Sequence, residues 1–346
     1  MKRKLLSNNE NENNGNQTRL QATCPISAVS LLLAASSQQR AFLSLRGFRQ
    51  QPRMCLFSIT ISSPIFIIAA SFTEKSWACG FKNAQLLIAA ALQIPSFRTS
   101  LASTFESISP QISFLPQQPY VPSIPSIQFL IERAWSLGFD PVGAAQLDSH
   151  ILSTKKWIGA CEIYAFFHSI GIKANTYDFR NASGPNATHP VLLDFVEAYF
   201  DSSLDEFLNT WTLEKATTPV LLSPLIWMRN TTDYIAGNFI HDTEKMPLYF
   251  QYQGHSLTII GIEILKSGLR NLLVLDPGTK IPPKLCVGID LYLRSSDATE
   301  KMLNVFRFGE HLLRKHPSYQ IVEVVGKYDP KSDSEGRKVF RTKRLT

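Results

Sequence analysis

Between Asn13 and Thr73 the chain has no aspartate or glutamate. Arg19, Arg40, Arg46, Arg49 and Arg53 lie in that stretch, and Arg337, Lys338, Arg341, Lys343 and Arg344 crowd the last ten residues. The net charge of +7 therefore belongs to the ends, and the middle is nearer neutral. Charge spread this way is not the clustered patch of a nucleic-acid surface, so no nucleic-acid partner is expected. The basic ends read as solvated. Cysteine is scarce too: Cys24, Cys55, Cys79, Cys161 and Cys286 are an odd, scattered set. They offer neither a disulfide framework nor paired CxxC zinc ligands. That fits a reducing compartment, cytoplasm or nucleus. A Gly-rich phosphate loop and internal repeats are also missing. No metal and no cofactor are expected, and the protein is expected to be a monomer.

With 346 residues, 44% of them hydrophobic, there is material for about two domains or one large one. Residues 1–70 read as a disordered or irregular leader, opening on the Asn-rich run "NNENENNGNQ". The acid-free part also has the composition of an organellar transit peptide, which keeps that address open. "LFSITISSPIFIIAASF", residues 56–72, is only 17 residues long and holds Pro64. It is short for a membrane span and reads as a buried strand pair, so no membrane is expected.

From Ser76 onward the patterns sharpen. Helical spacing is expected over 80–92, 127–139, 154–171 and 189–200, with a five-proline loop over 106–126. Residues 201–233 read as an insertion of little period. Strands are expected at 173–179, 247–253, 255–264, 271–278 and 319–326, with "KSG" as a hairpin turn. Helices first and strands later predict an α+β fold, with helices packed on a mainly antiparallel sheet.

The stretch "SWACGFKNAQLL" places Cys79 where a helix begins. A thiol attacks only as thiolate. A helix N-terminus favours that charge, and its free N–H groups are aimed where an oxyanion forms. The plainer alternative is a small buried cysteine. A base is needed, and His255 starts one expected strand while Asp276 ends the next, 21 residues on. In an antiparallel pair those ends meet, so the carboxylate fixes the ring's tautomer and the other nitrogen faces the sulfur. The alternative is a surface histidine and a turn aspartate before Pro-Gly. His168 reads as a core residue. Cys161, the rival nucleophile, falls inside the expected helix 154–171, where its thiol would be packed.

Taken together, "SWACGFKNAQLL", "GFDPVGAAQLDSHILSTKKWIGACEIYAFFHSIGIKANTYDF", "PLYFQYQGHSLTIIGIE" and "LLVLDPG" resemble the cysteine peptidases that act on ubiquitin-fold modifiers. The likeness covers about 71–325 and is stronger to the zinc-finger-containing ubiquitin peptidase branch. It implies a papain-like domain over 71–328, followed by a basic tail over 329–346. It also implies a triad of Cys79, His255 and Asp276, and ubiquitin or a ubiquitin-fold modifier as partner. Asp140 and Glu162 match the acids that hold the basic modifier tail; their plainer roles are a turn cap and a helix-surface charge. The family pattern around the nucleophile is Gly-Trp-Gly-Cys-Gly, and here it reads Ser76-Trp77-Ala78-Cys79-Gly80. If either lost glycine needs positive φ, the loop is strained. That leaves open an inactive relative that only binds the modifier. Upstream of Ser71 only Cys24 and Cys55 occur, too few for a zinc-finger array.

Overall fold

The computed structural model describes residues 39–44, 74, 76–108, 110–115, 118–214, 240–243, 245–265, 268–279, 304–329 and 335–345. Among them the helices are α1 (Cys79–Ala91), α2 (Pro95–Ile108), α3 (Ile124–Ser136), α4 (Pro141–Gln146), α5 (Ala160–Ser169), α6 (Pro190–Phe200), α7 (Leu204–Glu214) and α8 (Glu310–Leu313). The strands are β1 (Gln39–Ser44), β2 (Phe114–Leu115), β3 (Gln118–Pro122), β4 (Ile172–Arg180), β5 (Ile240–Thr243), β6 (Leu248–Tyr252), β7 (His255–Leu265), β8 (Arg270–Leu275), β9 (Arg307–Gly309), β10 (Ser318–Lys327) and β11 (Lys343–Arg344). Nine strands form one sheet in the order β11-β4-β10-β6-β7-β1-β5, with β8 pairing β7 and β9 beside β8. All pairs are antiparallel except β1 with β5 and β11 with β4. The fold is therefore α+β, with helices on a mostly antiparallel sheet.

Both faces of the sheet are covered. One apolar cluster joins α1, α2, α3 and α5 to the face bearing Tyr249, Ile260, Leu273 and Val322. The other joins α6, α7 and α8 to the face bearing Phe250, Leu257, Ile259, Ile262 and Tyr319. Strand β7 is buried along nearly its whole length, which is why it reads as a mainly apolar run broken only by Ser256, Thr258 and Glu263. A bulge between Ile259 and Gly261 inserts Ile260 and switches the side-chain parity. Leu257 and Ile259 share a face with Ile262 and Ile264 in consequence. Helix α1 is buried on almost every side, as an all-round apolar helix must be.

Several expectations are corrected. The helix expected from Thr154 begins at Ala160, capped by Gly159, because 154–159 runs as irregular chain. The five-proline loop is shorter than expected. Helix α2 runs into it, β2 and β3 pair inside it, and α3 starts at Ile124 with Ser123 as N-cap and Pro125 in the first turn. Proline fits there because that N–H lacks a helical partner anyway. The low-period stretch after 201 contains α7, and 215–233 lies outside the described residues. Gln39–Ser44 forms β1 within the expected irregular leader. The apolar stretch 56–72 lies outside the described residues; among those described, no helix is long and apolar enough to cross a membrane.

Near the end the backbone is built into the fold while Arg341, Lys343 and Arg344 keep their side chains exposed. β11 pairs β4, Leu345 is buried, and Tyr164 donates its hydroxyl hydrogen bond to the carbonyls of Arg337 and Val339.

Elsewhere, one cation ties a helix to the sheet. Arg270 at the start of β8 bridges Asp194 and Glu197, one turn apart on α6, with all three side chains largely buried. Arg270→Ala is expected to lower stability by about 3–5 kcal/mol, since it strands two buried carboxylates. Urea unfolding of the variant against the parent protein checks this.

Candidate active site

The site is built where α1 abuts the N-terminal end of β7. Cys79 is the first residue of α1, so its sulfur lies at the helix's N–H end. Gly80 is needed there: a Cβ would meet Ile158 Cγ1 at 2.6 Å and the Ile158 carbonyl oxygen at 2.7 Å. The chain at 157–159 thus presses directly on the start of the helix. One turn into α1, Asn83 is fully buried and gives its amide Nδ2 to Ser256 Oγ at 3.0 Å. Its Oδ1 accepts from Thr258 Oγ1 at 2.8 Å. These two bonds fix the helix against β7.

His255 begins β7 and Asp276 follows β8; the two strands pair antiparallel, with Thr258 opposite Leu275. His255 Nε2 hydrogen-bonds Asp276 Oδ1 at 2.9 Å. The carboxylate is itself held, accepting from the Gly278 N–H at 2.7 Å and the Thr279 hydroxyl at 2.9 Å. The remaining ring nitrogen, Nδ1, is left free of Asp276, and Cys79 and His255 are near enough to shift each other's titration. The structure thus brings together the three residues that spacing and resemblance single out.

The charges follow the geometry. Burial pushes the Cys79 thiol up, but hydrogen bonds from His255 and Ser256 outweigh it and hold the thiol below its ordinary value. Burial pulls His255 down, yet Asp276 and Cys79 together raise it to about 9. Asp276 is opposed by burial and lowered by His255. An opposite charge nearby favours each ionised form, so thiolate and imidazolium support one another.

Asp140 and Glu162 lie in a second cluster. Asp140 N-caps α4 from a left-handed backbone, accepting from the Gly143 N–H at 3.2 Å through Oδ1. The plainer turn-cap role is real, but its Oδ2 is buried without a hydrogen-bond partner. Glu162 is not a surface charge: it is 7% exposed and accepts from the Gly159 N–H at 2.7 Å. Burial and the nearby Asp140 raise it to about 7, against the pull of backbone N–H groups. Burial raises Asp140 as well. Between the two centres runs the chain at 157–159, with Trp157 51% exposed above Gly254 and Gly159 against Gln251.

Cys161 is in the first turn of α5, not inside a longer helix, and is only part-buried. Burial and the charges of Glu162 and Asp140 push it up to about 12, so it is a poor nucleophile. His168 is the core residue expected: Tyr164 stacks on it and its Nε2 meets the Ala174 backbone. Among the described residues no group of three or more His, Cys, Asp or Glu is placed to hold a metal ion.

Sequence reasoning passed over Asn83, Ser256, Thr258 and Tyr249. The signal was there: polar residues inside apolar elements must find partners.

A helix-borne thiol near an imidazole and carboxylate on an antiparallel sheet is the set of groups a cysteine peptidase needs. Residues 59–322 match the model of Peptidase family C78, so the chain belongs to that family. The matched span begins twelve residues before the motif resemblance does. Zinc finger-containing ubiquitin peptidase 1 of Mus musculus is 32% identical over 288 residues, covering 83% of this chain and 41% of that protein. The Homo sapiens protein of that name is 32% identical over 284 residues, covering 82% and 40%. Ubiquitin carboxyl-terminal hydrolase mug105 of Schizosaccharomyces pombe is 27% identical over 248 residues, covering 71% of each chain. The chain thus spans about 41% of the length of the mouse relative.

The two glycine departures now separate. Ser76 adopts φ 80°, the left-handed region, whereas Ala78 sits at φ −89°. Only position 76 carries strain, of order 1 kcal/mol for a non-glycine residue. Ser76→Gly is expected to hold or raise stability, whereas Ala78→Gly lowers it by about 0.5–1 kcal/mol. Thermal melts of the two variants side by side check this.

Proposed function

We propose that the chain is a thiol isopeptidase that cleaves after the C-terminal glycine of ubiquitin or a ubiquitin-fold modifier. The observation that carries this is the His255–Asp276 pair at 2.9 Å, with the His255 ring and the Cys79 sulfur each shifted toward its charged form by the other. In this reading the Cys79 thiolate attacks the carbonyl of the terminal glycine. The tetrahedral oxyanion forms at the N-terminus of α1, whose free N–H groups stabilise negative charge. As the intermediate collapses, protonated His255 gives its proton to the departing lysine amine and a thioester remains. Neutral His255 then takes a proton from water, hydroxide adds to the thioester, and the thiol leaves. Asp276 keeps the ring oriented throughout. A thiol so used must stay reduced, and in this reading the enzyme works in the cytoplasm or nucleus.

Asp140 and Glu162 hold the arginines of the modifier tail. What supports this is the unpartnered Oδ2 of Asp140, the high position of Glu162, and their link to the nucleophile through Ile158 and Gly159. An arriving guanidinium supplies the missing donors through charge-assisted bonds. The alternative of a turnover-less binding relative drew on Ser76 and Ala78. Ser76 does take the strained left-handed backbone, but Ala78, next to the nucleophile, has a backbone any residue adopts, so the strain stays three residues from the sulfur.

A ubiquitin probe carrying a C-terminal electrophile tests the assignment. Labelling is expected to vanish with Cys79→Ala and persist with Cys161→Ala; the reverse pattern sinks it. Turnover should fall as pH rises through about 9, where the raised His255 loses the proton the leaving amine needs. It should fall again in acid, where the depressed Cys79 thiolate takes up a proton. KM should fall as pH rises through about 7, because Glu162 becomes a carboxylate. Glu162→Gln should flatten that dependence and raise KM about tenfold, the loss of one charged hydrogen bond. Steady-state kinetics across the pH range decide each point.

A further inference from the structure

The chain that divides the two centres is tethered to helix α3. Residues 147–159 hold three non-glycine residues in the left-handed region: Asp148 (φ 54°), Ser149 (φ 51°) and Ser153 (φ 60°). Backbone in that sparsely populated region persists only where its surroundings over-determine it. Two side chains of α3 do so here. Glu132 Oε1 accepts from the backbone N–H groups of Ile151 at 2.7 Å and Leu152 at 2.6 Å, and His150 Nδ1 lies 3.0 Å from the same oxygen. One turn earlier, Gln128 Oε1 accepts from the Ser153 N–H at 3.2 Å, and its Nε2 donates to the Thr154 carbonyl at 2.9 Å. Positions four apart share a helix face, so residues 150–154 are pinned in succession to one side of α3.

The tether runs on toward the acidic cluster. Thr154 Oγ1 accepts from the Lys156 N–H at 3.2 Å, and Lys156 Nζ returns to the Leu147 carbonyl at 2.9 Å. Immediately beyond, Ile158 presses on Gly80, and Gly159 gives its N–H to Glu162 Oε2 at 2.7 Å. The two centres depend on this chain unequally. Helix α1, which carries Cys79, has its own anchor in the Asn83 bonds to Ser256 and Thr258. The Glu162 carboxylate takes its N–H from the tethered chain itself.

We infer that Glu132 is a positioning residue for the acidic cluster: acting through residues 150–159, it sets where Glu162 meets the basic tail of the modifier. This rests on the isopeptidase reading and on Glu162 as an arginine-binding residue. Alanine at position 132 leaves Ile151 and Leu152 without their acceptor, whereas glutamine keeps a carbonyl oxygen for both.

The test uses the full chain and two measurements. One is steady-state turnover of ubiquitin carrying a C-terminal fluorogenic amide. The other is amide hydrogen exchange over 147–162, resolved by fragmentation mass spectrometry, in which the Gly159 amide reports its bond to Glu162. Glu132→Ala is expected to speed exchange at Ile151, Leu152 and Gly159. It should raise KM about tenfold, the loss of one charged hydrogen bond, with kcat within about twofold of the parent because only binding is affected. Glu132→Gln should return both measurements toward the parent values. A merely structural role would lower the melting temperature and leave KM where it was. A folded Glu132→Ala protein with an unmoved KM overturns the inference, as does faster exchange that stops short of Gly159. If circular dichroism shows that variant unfolded, Gln128→Ala decides on the same two measurements. A parent protein without turnover defeats the isopeptidase reading. Exchange at Gly159 then judges the tether by itself, and an unmoved rate overturns it.

Discussion

Everything at this site depends on one dry seam, where helix α1 meets strand β7. The helix is buried on almost every side, so packing alone leaves it free to slide or turn by small amounts. Asn83 removes that freedom. Its amide finds partners only where Ser256 and Thr258 present an acceptor and a donor in that order. A shift of one residue along the helix, about 1.5 Å, would strand buried polar groups at a cost of about 1–3 kcal/mol each. Cys79 is one turn before Asn83, and His255 is the residue before Ser256. Registering the seam therefore sets sulfur beside imidazole.

The site sorts its ionisable groups into two opposed sets. In one, contact between unlike charges wins over burial: Cys79 and Asp276 go down and His255 goes up. In the other, burial wins because no cation is close enough: Asp140 and Glu162 both go up. The first set is internally neutralised. Among the described residues no cation acts on the second. The same protein frame thus holds a finished charge constellation and an unfinished one, with the chain at 157–159 between them.

Much of this was legible before the fold. The apolar run of β7, the turn chemistry around Asp276 and the helix start at Cys79 all follow from local rules. Their convergence was argued from strand ends meeting and from the family likeness. The failures have physical causes. Pro125 looks like a breaker in sequence, yet it sits in the first turn of α3, where its missing N–H does no harm. Residues 154–159 carry a helix-like composition but run as irregular chain, packed between the Gly80 and Gln251 contacts. Glu162 looks like a surface charge because burial is a tertiary property. The Asn83 bonds join residues 173 and 175 positions away in sequence, and no local window reaches that far.

The returning segment 335–345 has a further consequence. The Asp140 N–H donates to the Lys338 carbonyl at 2.7 Å, so the left-handed residue that shapes the acidic cluster is braced by chain some two hundred positions downstream. Tyr164 on α5, two residues after Glu162, grips the same segment through Arg337 and Val339. Order in this stretch and order in the acidic cluster are thermodynamically linked, and linkage is reciprocal. A ligand that rigidifies the cluster tightens the brace, and anything that peels the brace away loosens the cluster, although neither touches the sulfur.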